Sequence, residues 1–309
     1  MNLYDKFMDK EPIKIVGVWK DEFWGNYHLK PALEGIGELH YIPVPPSSNG
    51  YVKDIAGFSS KIYDVVKEIK PDVVFCYVKN RWVSAIPFLR IKNLGIPTIN
   101  ISLEDTYNFS LVKDIAHSFT LNMTSAKSSL IKYHRNNAHA IYLPPGANLI
   151  EVEDCLKDID ICFIGKKNET NTPVIKNLQR NFNIEVYGKG WLNGSVNSQK
   201  TLKLYRRSKI VLGLNTSEAY SIKGRDFEIL MSGSLYLCEY NPELTEWLKN
   251  GRELIFWKDL SDLRTKIKYY LKNEGHRQTI ACMGYFKATT KHTWMDRFER
   301  LFKVLSSGF

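Results

Sequence analysis

The chain has 309 residues, of which 44% are hydrophobic, 13% aromatic and 25% charged. That composition supplies apolar material for a core in each of two domains and excludes a disordered or fibrous chain. Lys and Arg number 43 against 33 Asp and Glu, a formal net charge of +10, which points to an acidic partner: a nucleotide, a nucleic acid backbone or an anionic membrane surface.

The N-terminus, MNLYDKFMDKEP, carries Asp5, Asp9 and Glu11 and no apolar signal region, and no uncharged apolar run is long enough to span a bilayer. Cys76, Cys155, Cys162, Cys238 and Cys282 are odd in number and never spaced C-x-x-C. Buried, reduced thiols in a cytoplasmic protein are the expectation.

Short apolar runs then alternate with amphipathic stretches along the whole chain, the pattern of parallel sheets with helical crossovers. In the first half, strands are predicted over 13–19, 39–44, 71–78, 97–103, 117–123 and 140–144. Between the second and third, Ile55, Phe58, Ile62, Val65, Val66 and Ile69 recur at helical spacing and form one stripe. Pro144, Pro145 and Gly146 punctuate a linker over 143–160. A second series follows, with strands over 160–165, 184–188, 209–215, 234–240 and 253–257, then helices over about 259–273, 275–288 and 292–305, the last two divided near Thr289 and Thr290. The fold class is therefore α/β, with two doubly wound Rossmann-like domains, 1–146 and 147–309, the terminal helices lying in the second. Ligands of such sheets bind at the carboxyl ends of the strands, here expected in a cleft between the two domains.

The charge excess is uneven: residues 1–150 hold 17 basic and 14 acidic side chains, whereas 151–309 hold 26 and 19. A phosphate site is thus expected in the second half, and the absence of any block of like charges argues against a nucleic-acid-binding tail. Three segments there fit an anion. Lys223, Gly224 and Arg225 open a helix, whose N-terminus offers unpaired N–H groups, and Glu228 follows one turn on. Gly165, Lys166 and Lys167 stand where a strand gives way to a loop, and Gly188, Lys189, Gly190 and Trp191 repeat the theme. The segment is no P-loop, since G-x-x-x-x-G-K-[ST] is absent. An Arg225–Glu228 surface pair with solvated lysines is the competing reading. Asp158 and Asp160, the one D-x-D triplet, precede a strand rather than follow it and read as linker acids, so no metal ligand is assigned.

The run from IKGRDFEILMSGSLYLCEY through RFERLF resembles the C-terminal half of GT-B glycosyltransferases, specifically the CgeB-like, group 1 type. Its motifs are similar to K-x-R-x-F-E-x-x-x-S-G, G-x-E-x-x-x-[WY], I-A-x-x-G and H-T-[WY]-x-x-R; T-S-x-x-S and L-P-x-G-A-N earlier in the chain also match. The first 100 residues carry no comparable match. The resemblance implies a GT-B fold with two domains facing each other across a cleft. It implies a hexosyltransferase-type glycosyltransferase with a nucleotide-diphosphate sugar as co-substrate, no cofactor and no metal. Lys223 and Arg225 map to the diphosphate and Glu228 to the donor ribose. Many retaining relatives carry a further glutamate at the position of Tyr220; Glu218 is near but out of register.

For a proton acceptor, Glu104 and Asp105 follow a first-half strand and resemble the family's L-D-D segment, with Asp105 on its second acid. A helix cap at Asp105 is the alternative, and Asp21, Glu22 and His28 are the competing groups. His292 and Arg297 sit beside an apolar stripe of Trp294, Phe298, Leu301 and Phe302, which suits packing against the other domain. Trp19, Trp24 and Trp82 follow strand ends and suggest an acceptor groove. Transfer to a glycan or glycolipid acceptor in surface polysaccharide or glycoconjugate synthesis follows from the resemblance, with the protein cytoplasmic and in peripheral contact with an anionic inner membrane face. A sugar-nucleotide epimerase and a non-catalytic nucleotide-sugar-binding homologue are the alternatives. Nucleic acid is not expected as a partner.

Overall fold

The computed structural model describes residues 1–21, 25–46, 49–103, 105–149, 156–214 and 220–308. It divides into two compact units, Met1–Asn148 with Trp294–Phe309, and Leu149–Thr293.

Unit 1 is built on six parallel strands: β1 (Ile13–Lys20), β2 (Gly37–Val44), β3 (Val73–Tyr77), β4 (Thr98–Ser102), β5 (Leu121–Thr124) and β6 (Ala140–Tyr142), in the order β2-β1-β3-β4-β5-β6. Strand order reverses between β1 and β3, which pair in the register Ile15↔Val73 to Trp19↔Tyr77. The central strands are buried on both faces, which is why VVFCY reads as a continuous apolar run rather than an alternating one. Helix Ile55–Ile69 starts where the Asp54 carboxylate accepts the Gly57 N–H at 2.8 Å. Its Phe58, Ile62 and Val66 face a core that includes Val16, Val18, Val74, Cys76 and Phe88. Over 117–123 the predicted strand begins only at Leu121, because Ala116–Ser118 forms a 3-10 turn first.

Unit 2 has five parallel strands: β7 (Ile159–Ile164), β8 (Ile184–Tyr187), β9 (Ser208–Gly213), β10 (Leu235–Glu239) and β11 (Ile255–Trp257), in the order β11-β10-β9-β7-β8. The reversal lies between β7 and β9. Ile161, Phe163, Ile210, Leu212, Leu235 and Leu237 form the core against Ile175, Leu263 and Ile267 of the helices. Both sheets have the doubly wound plan that the alternation in sequence implies.

The sequence division at 146/147 places the terminal helices together, whereas the last one, Trp294–Ser307, packs in unit 1. There Phe298 and Phe302 meet the Phe75 ring at 5.5 and 6.1 Å, and Arg297, with 0% exposure, donates from Nε to the Pro144 carbonyl at 2.7 Å. The preceding helix, Glu274–Lys291, runs unbroken through Thr289 and Thr290, whose hydroxyls donate to its own carbonyls, those of Tyr285 and Phe286. No helix among the described residues is long and apolar enough to cross a membrane.

Candidate functional site

In unit 2 the loops after β7 and its neighbour, the edge strand β8, interlock beside the point where strand order reverses. The Gly165 N–H donates to the Tyr187 carbonyl and the Lys167 N–H to that of Lys189, both at 2.9 Å, carrying the parallel pairing past the strand ends. Gly188 has φ +129°, and a Cβ there would run into the Gly165 carbonyl, so only glycine lets the loops approach this closely. Trp191 donates from Nε1 to the same carbonyl at 2.9 Å, while the Lys167 ammonium lies 5.3 Å from its ring centroid. A reciprocal pair, Asn168 with Asn171, opens helix Asn171–Leu178, and Asn171 Nδ2 donates to the Lys166 carbonyl at 2.8 Å. Backbone positions are thereby fixed while Lys166, Lys167 and Lys189 keep exposed side chains.

Helix Gly224–Met231 supplies the third part. Its entry is set by Asp226, whose Oδ2 accepts the Lys223 N–H at 2.9 Å and whose Oδ1 accepts the Tyr236 hydroxyl at 2.7 Å. Arg225 donates from Nη1 to the Ile164 carbonyl at 3.3 Å, laying its guanidinium across the end of β7. Glu228, 9% exposed, is pushed up to about 7 by burial and further by the Asp226 carboxylate, against the pull of the Arg225 cation. Phe227, between them in sequence, stacks on the His292 ring at 4.4 Å and 14°. His292 is thus a packing group in unit 2.

The structure brings Gly165, Lys166, Lys167, Gly188, Lys189 and Arg225 together around the carboxyl ends of β7 and β8, with Lys223, Gly224 and Glu228 on the adjoining helix. Oriented N–H groups, four or five cations and a buried carboxylate suit a ligand with a diphosphate at one end and hydroxyls at the other. Among the described residues no group of three or more His, Cys, Asp or Glu could hold a metal ion. Asp158, just before β7, pairs with Arg207, whereas Asp160 lies within β7 rather than in a linker and pairs with Lys209 of β9 at 2.7 Å. Sequence reasoning passed over Asp226 and Tyr236, although an acid three residues after a helix start is a capping signal.

Unit 1 contains the remaining candidates. Asp105 opens the short helix Asp105–Asn108 and is 1% exposed, its Oδ2 accepting the Tyr133 hydroxyl at 2.8 Å. Burial holds its carboxyl above the usual carboxylate range, against the hydroxyls of Thr124, Tyr133 and Ser129 and the Lys132 ammonium. It also lines a water-sized cavity of about 10 Å³ with Tyr77, Lys79 and Ser102, at the ends of β3 and β4. Glu104, Glu22, Trp24, Glu218 and Cys155 lie outside the described residues. Burial lowers His28 to about 4, so it is neutral at pH 7. Trp19 is no groove residue: at 0% exposure it fills the space over Gly17 and Gly25, with Nε1 donating to Asn26 at 3.0 Å. Cys76, Cys162 and Cys238 are buried, and Cys282 is exposed.

Residues 171–303 match the model of a family described as glycosyl transferase-like. Among solved structures, HepE from Anabaena in complex with UDP-glucose superposes with a TM-score of 0.63 at 12% identity, covering 96% of this chain and 100% of that one. Sucrose-phosphate synthase from Thermosynechococcus elongatus superposes at 0.61 with 10% identity, covering 95% and 99%. A UDP-N-acetylglucosamine 2-epimerase, so described putatively, from Listeria monocytogenes gives 0.54 at 11% identity over 90% and 94%. No curated protein sequence matches the chain significantly. The chain therefore has the GT-B fold of two Rossmann-like domains, and residues 171–303 are similar in sequence to the glycosyl transferase-like family.

Proposed function

We propose that this protein is a glycosyltransferase that takes a sugar from a nucleotide-diphosphate donor, held by unit 2, and passes it to a hydroxyl of a glycan or glycolipid acceptor on the unit 1 side. The observation that carries this reading is the Arg225–Ile164 contact, which joins the basic helix start, inside the family-matched region 171–303, to the glycine-lysine loop that follows β7 just before that region. Departure of a diphosphate from an anomeric carbon develops negative charge on its oxygens; Lys166, Lys189, Lys223, Arg225 and the helix N-terminus supply positive charge for it without a resident metal. Glu228 takes the ribose hydroxyls. Asp105 is the proton acceptor assigned in unit 1, its raised basicity suiting that task, with Asp21 next.

HepE binds UDP-glucose and the chain shares its fold, so uridine donors come first in the test. Calorimetric titration with UDP-, dTDP- and GDP-sugars should give saturable binding to one nucleotide class, lost or much weakened in Glu228→Ala. Binding of none of them would end the reading. The Listeria neighbour favours a second reading, epimerisation of the donor sugar in the same fold. Product formed from donor alone, with no acceptor, would decide for it. The proposal extends to surface polysaccharide or glycoconjugate synthesis at the cytoplasmic face of a membrane, which the family resemblance suggests.

A further inference from the structure

We infer that Tyr133 is a positioning residue for Asp105: it holds one carboxylate oxygen so that the other, Oδ1, is the atom that receives the acceptor's proton. This rests on the reading of Asp105 as proton acceptor and adds the segment that orients it, residues 124–133, which begins with the T-S-x-x-S motif.

Two neighbouring strand ends build the arrangement. Asp105 opens the helix that follows β4, and Thr124 closes β5 opposite Ser102 of β4. The chain then turns through Lys127–Ser129 into helix Leu130–His134, and two adjacent residues of that helix grip the Asp105–Asn108 helix. The Lys132 ammonium donates to the carbonyls of Asp105 and Thr106 at 3.2 and 2.9 Å, which fixes the backbone. Tyr133, 0% exposed, donates its hydroxyl to Asp105 Oδ2 at 2.8 Å, which fixes the side chain. Phe109 meets the Tyr133 ring edge-on with centroids 5.0 Å apart and backs the phenol.

With Oδ2 engaged, Oδ1 is the oxygen left. It is buried and makes no hydrogen bond among the described residues, a costly state for a carboxylate that no donor reaches. The Thr124 and Ser129 hydroxyls stand near enough to lower the carboxyl, yet Thr124 donates to the Ala126 carbonyl at 3.3 Å and Ser129 Oγ reaches no partner at hydrogen-bond distance. Asp105 also lines the cavity at the ends of β3 and β4, which has room for one water. Through that water the proton can travel. As the acceptor oxygen bonds the anomeric carbon and the sugar–phosphate bond breaks toward the diphosphate, the acceptor hydroxyl gives its proton to the water, and the water passes one on to Oδ1. Tyr133 keeps its own proton, because burial and the Asp105 carboxylate hold the phenol well above its usual value. The charged and titratable groups that face this carboxyl and its cavity are Lys132 and Tyr133 from the helix and Tyr77 and Lys79 from the end of β3.

The test follows two readouts against pH. Nucleotide release is measured from whichever of UDP-, dTDP- and GDP-glucose binds, with water as the acceptor, and the Asp105 carboxyl is titrated by carbon-13 NMR, its signal identified by its loss in Asp105→Asn. The phenol hydrogen bond favours the ion, so Tyr133→Phe should raise the carboxyl and move the acid limb of kcat to higher pH by the same amount, with kcat on that limb down about tenfold and KM for the donor unchanged. Phe109→Leu loosens the same packing but keeps the hydroxyl, so it should lower the melting temperature without moving the limb. An unmoved limb in folded Tyr133→Phe, a change in KM in place of kcat, or an equal shift in Phe109→Leu would overturn the inference. If none of the three donors binds, or wild-type protein binds one without releasing its nucleotide, the transfer reading fails instead, and the NMR titration still decides whether Tyr133 sets the Asp105 carboxyl.

Discussion

Arg225 Nη1 reaches the Ile164 carbonyl, 61 positions earlier in the chain, at 3.3 Å. The contact sets the first turn of one helix against the end of β7, and brings the basic helix start to the glycine-lysine loops that follow β7 and β8. Arg225→Lys keeps a charge but loses the planar fork that spans this distance while leaving donors for a ligand. Nucleotide affinity is expected to fall about tenfold, the ~1.4 kcal/mol scale of a charge-assisted hydrogen bond, with little change in unfolding free energy; calorimetry and urea unfolding measure the two.

Gly188 is the site where backbone and ligand geometry are hardest to separate. With φ at +129° and the Gly165 carbonyl against its Cα, Gly188→Ala is strained whatever happens around it. A loss of about 2 kcal/mol in stability is expected from the backbone conformation alone. Nucleotide binding should fall as well, because the β7 and β8 loops part. Gly194→Ala serves as the control: its φ is +65° but nothing lies within 4 Å of the added Cβ, so it should strain the chain without moving Gly165.

All eleven strands were legible from alternation, because a parallel sheet covered on both faces concentrates its apolar residues in short runs between turn residues. The glycine-lysine segments were legible for a related reason, since glycine at a strand end signals close backbone approach. What joins them was not. The Arg225–Ile164 contact and the Asp226–Tyr236 pair connect residues whose partners are fixed only by strand order, which spacing does not encode. The terminal helix was misplaced for a similar reason. The stripe of Trp294, Phe298 and Phe302 suits packing against the other domain, as found, but it does not name the Phe75 and Phe7 rings that receive it and draw the helix into unit 1.

Glu228 gives a pH prediction. Burial raises its carboxyl in the folded protein to about 7, above the ordinary glutamate value of 4.5. The folded state thus holds the proton more tightly. Its contribution to stability is complete below the unfolded value and is lost as pH rises through about 7. Urea unfolding of the unliganded protein from pH 4.5 to 7.5 should show stability falling with pH more steeply than in Glu228→Gln, which has no proton to lose. A variant with the same slope would place the raised carboxyl elsewhere.

Tyr236→Phe tests the buried cap. The hydroxyl donates to Asp226 Oδ1 at 2.7 Å, and both side chains are buried. Removing it leaves a buried carboxylate oxygen without that donor, at a cost of about 2 kcal/mol. The start of the Gly224–Met231 helix should loosen, so hydrogen exchange of the Arg225 and Asp226 amides is expected to quicken before that of β10.

Asp105 carries the last prediction, because its position serves either the fold or the reaction and the two can be separated. Its carboxyl is buried, bonded to Tyr133 and raised above the carboxylate range. A raised value means that burial disfavours the ion, so the wild-type carboxyl contributes most at low pH and progressively less as pH rises through its folded value. Asp105→Asn imitates the neutral form and keeps an acceptor for the Tyr133 hydroxyl, so its stability deficit should shrink with rising pH. Asp105→Leu removes that acceptor and should cost about 2 kcal/mol. If Asp105 takes the acceptor proton, Asp105→Asn loses turnover by two or more orders of magnitude, the usual range for a general base, while donor affinity and melting temperature stay near wild type. Turnover preserved in folded Asp105→Asn would assign the residue to the fold alone and move the search for the base to Asp21.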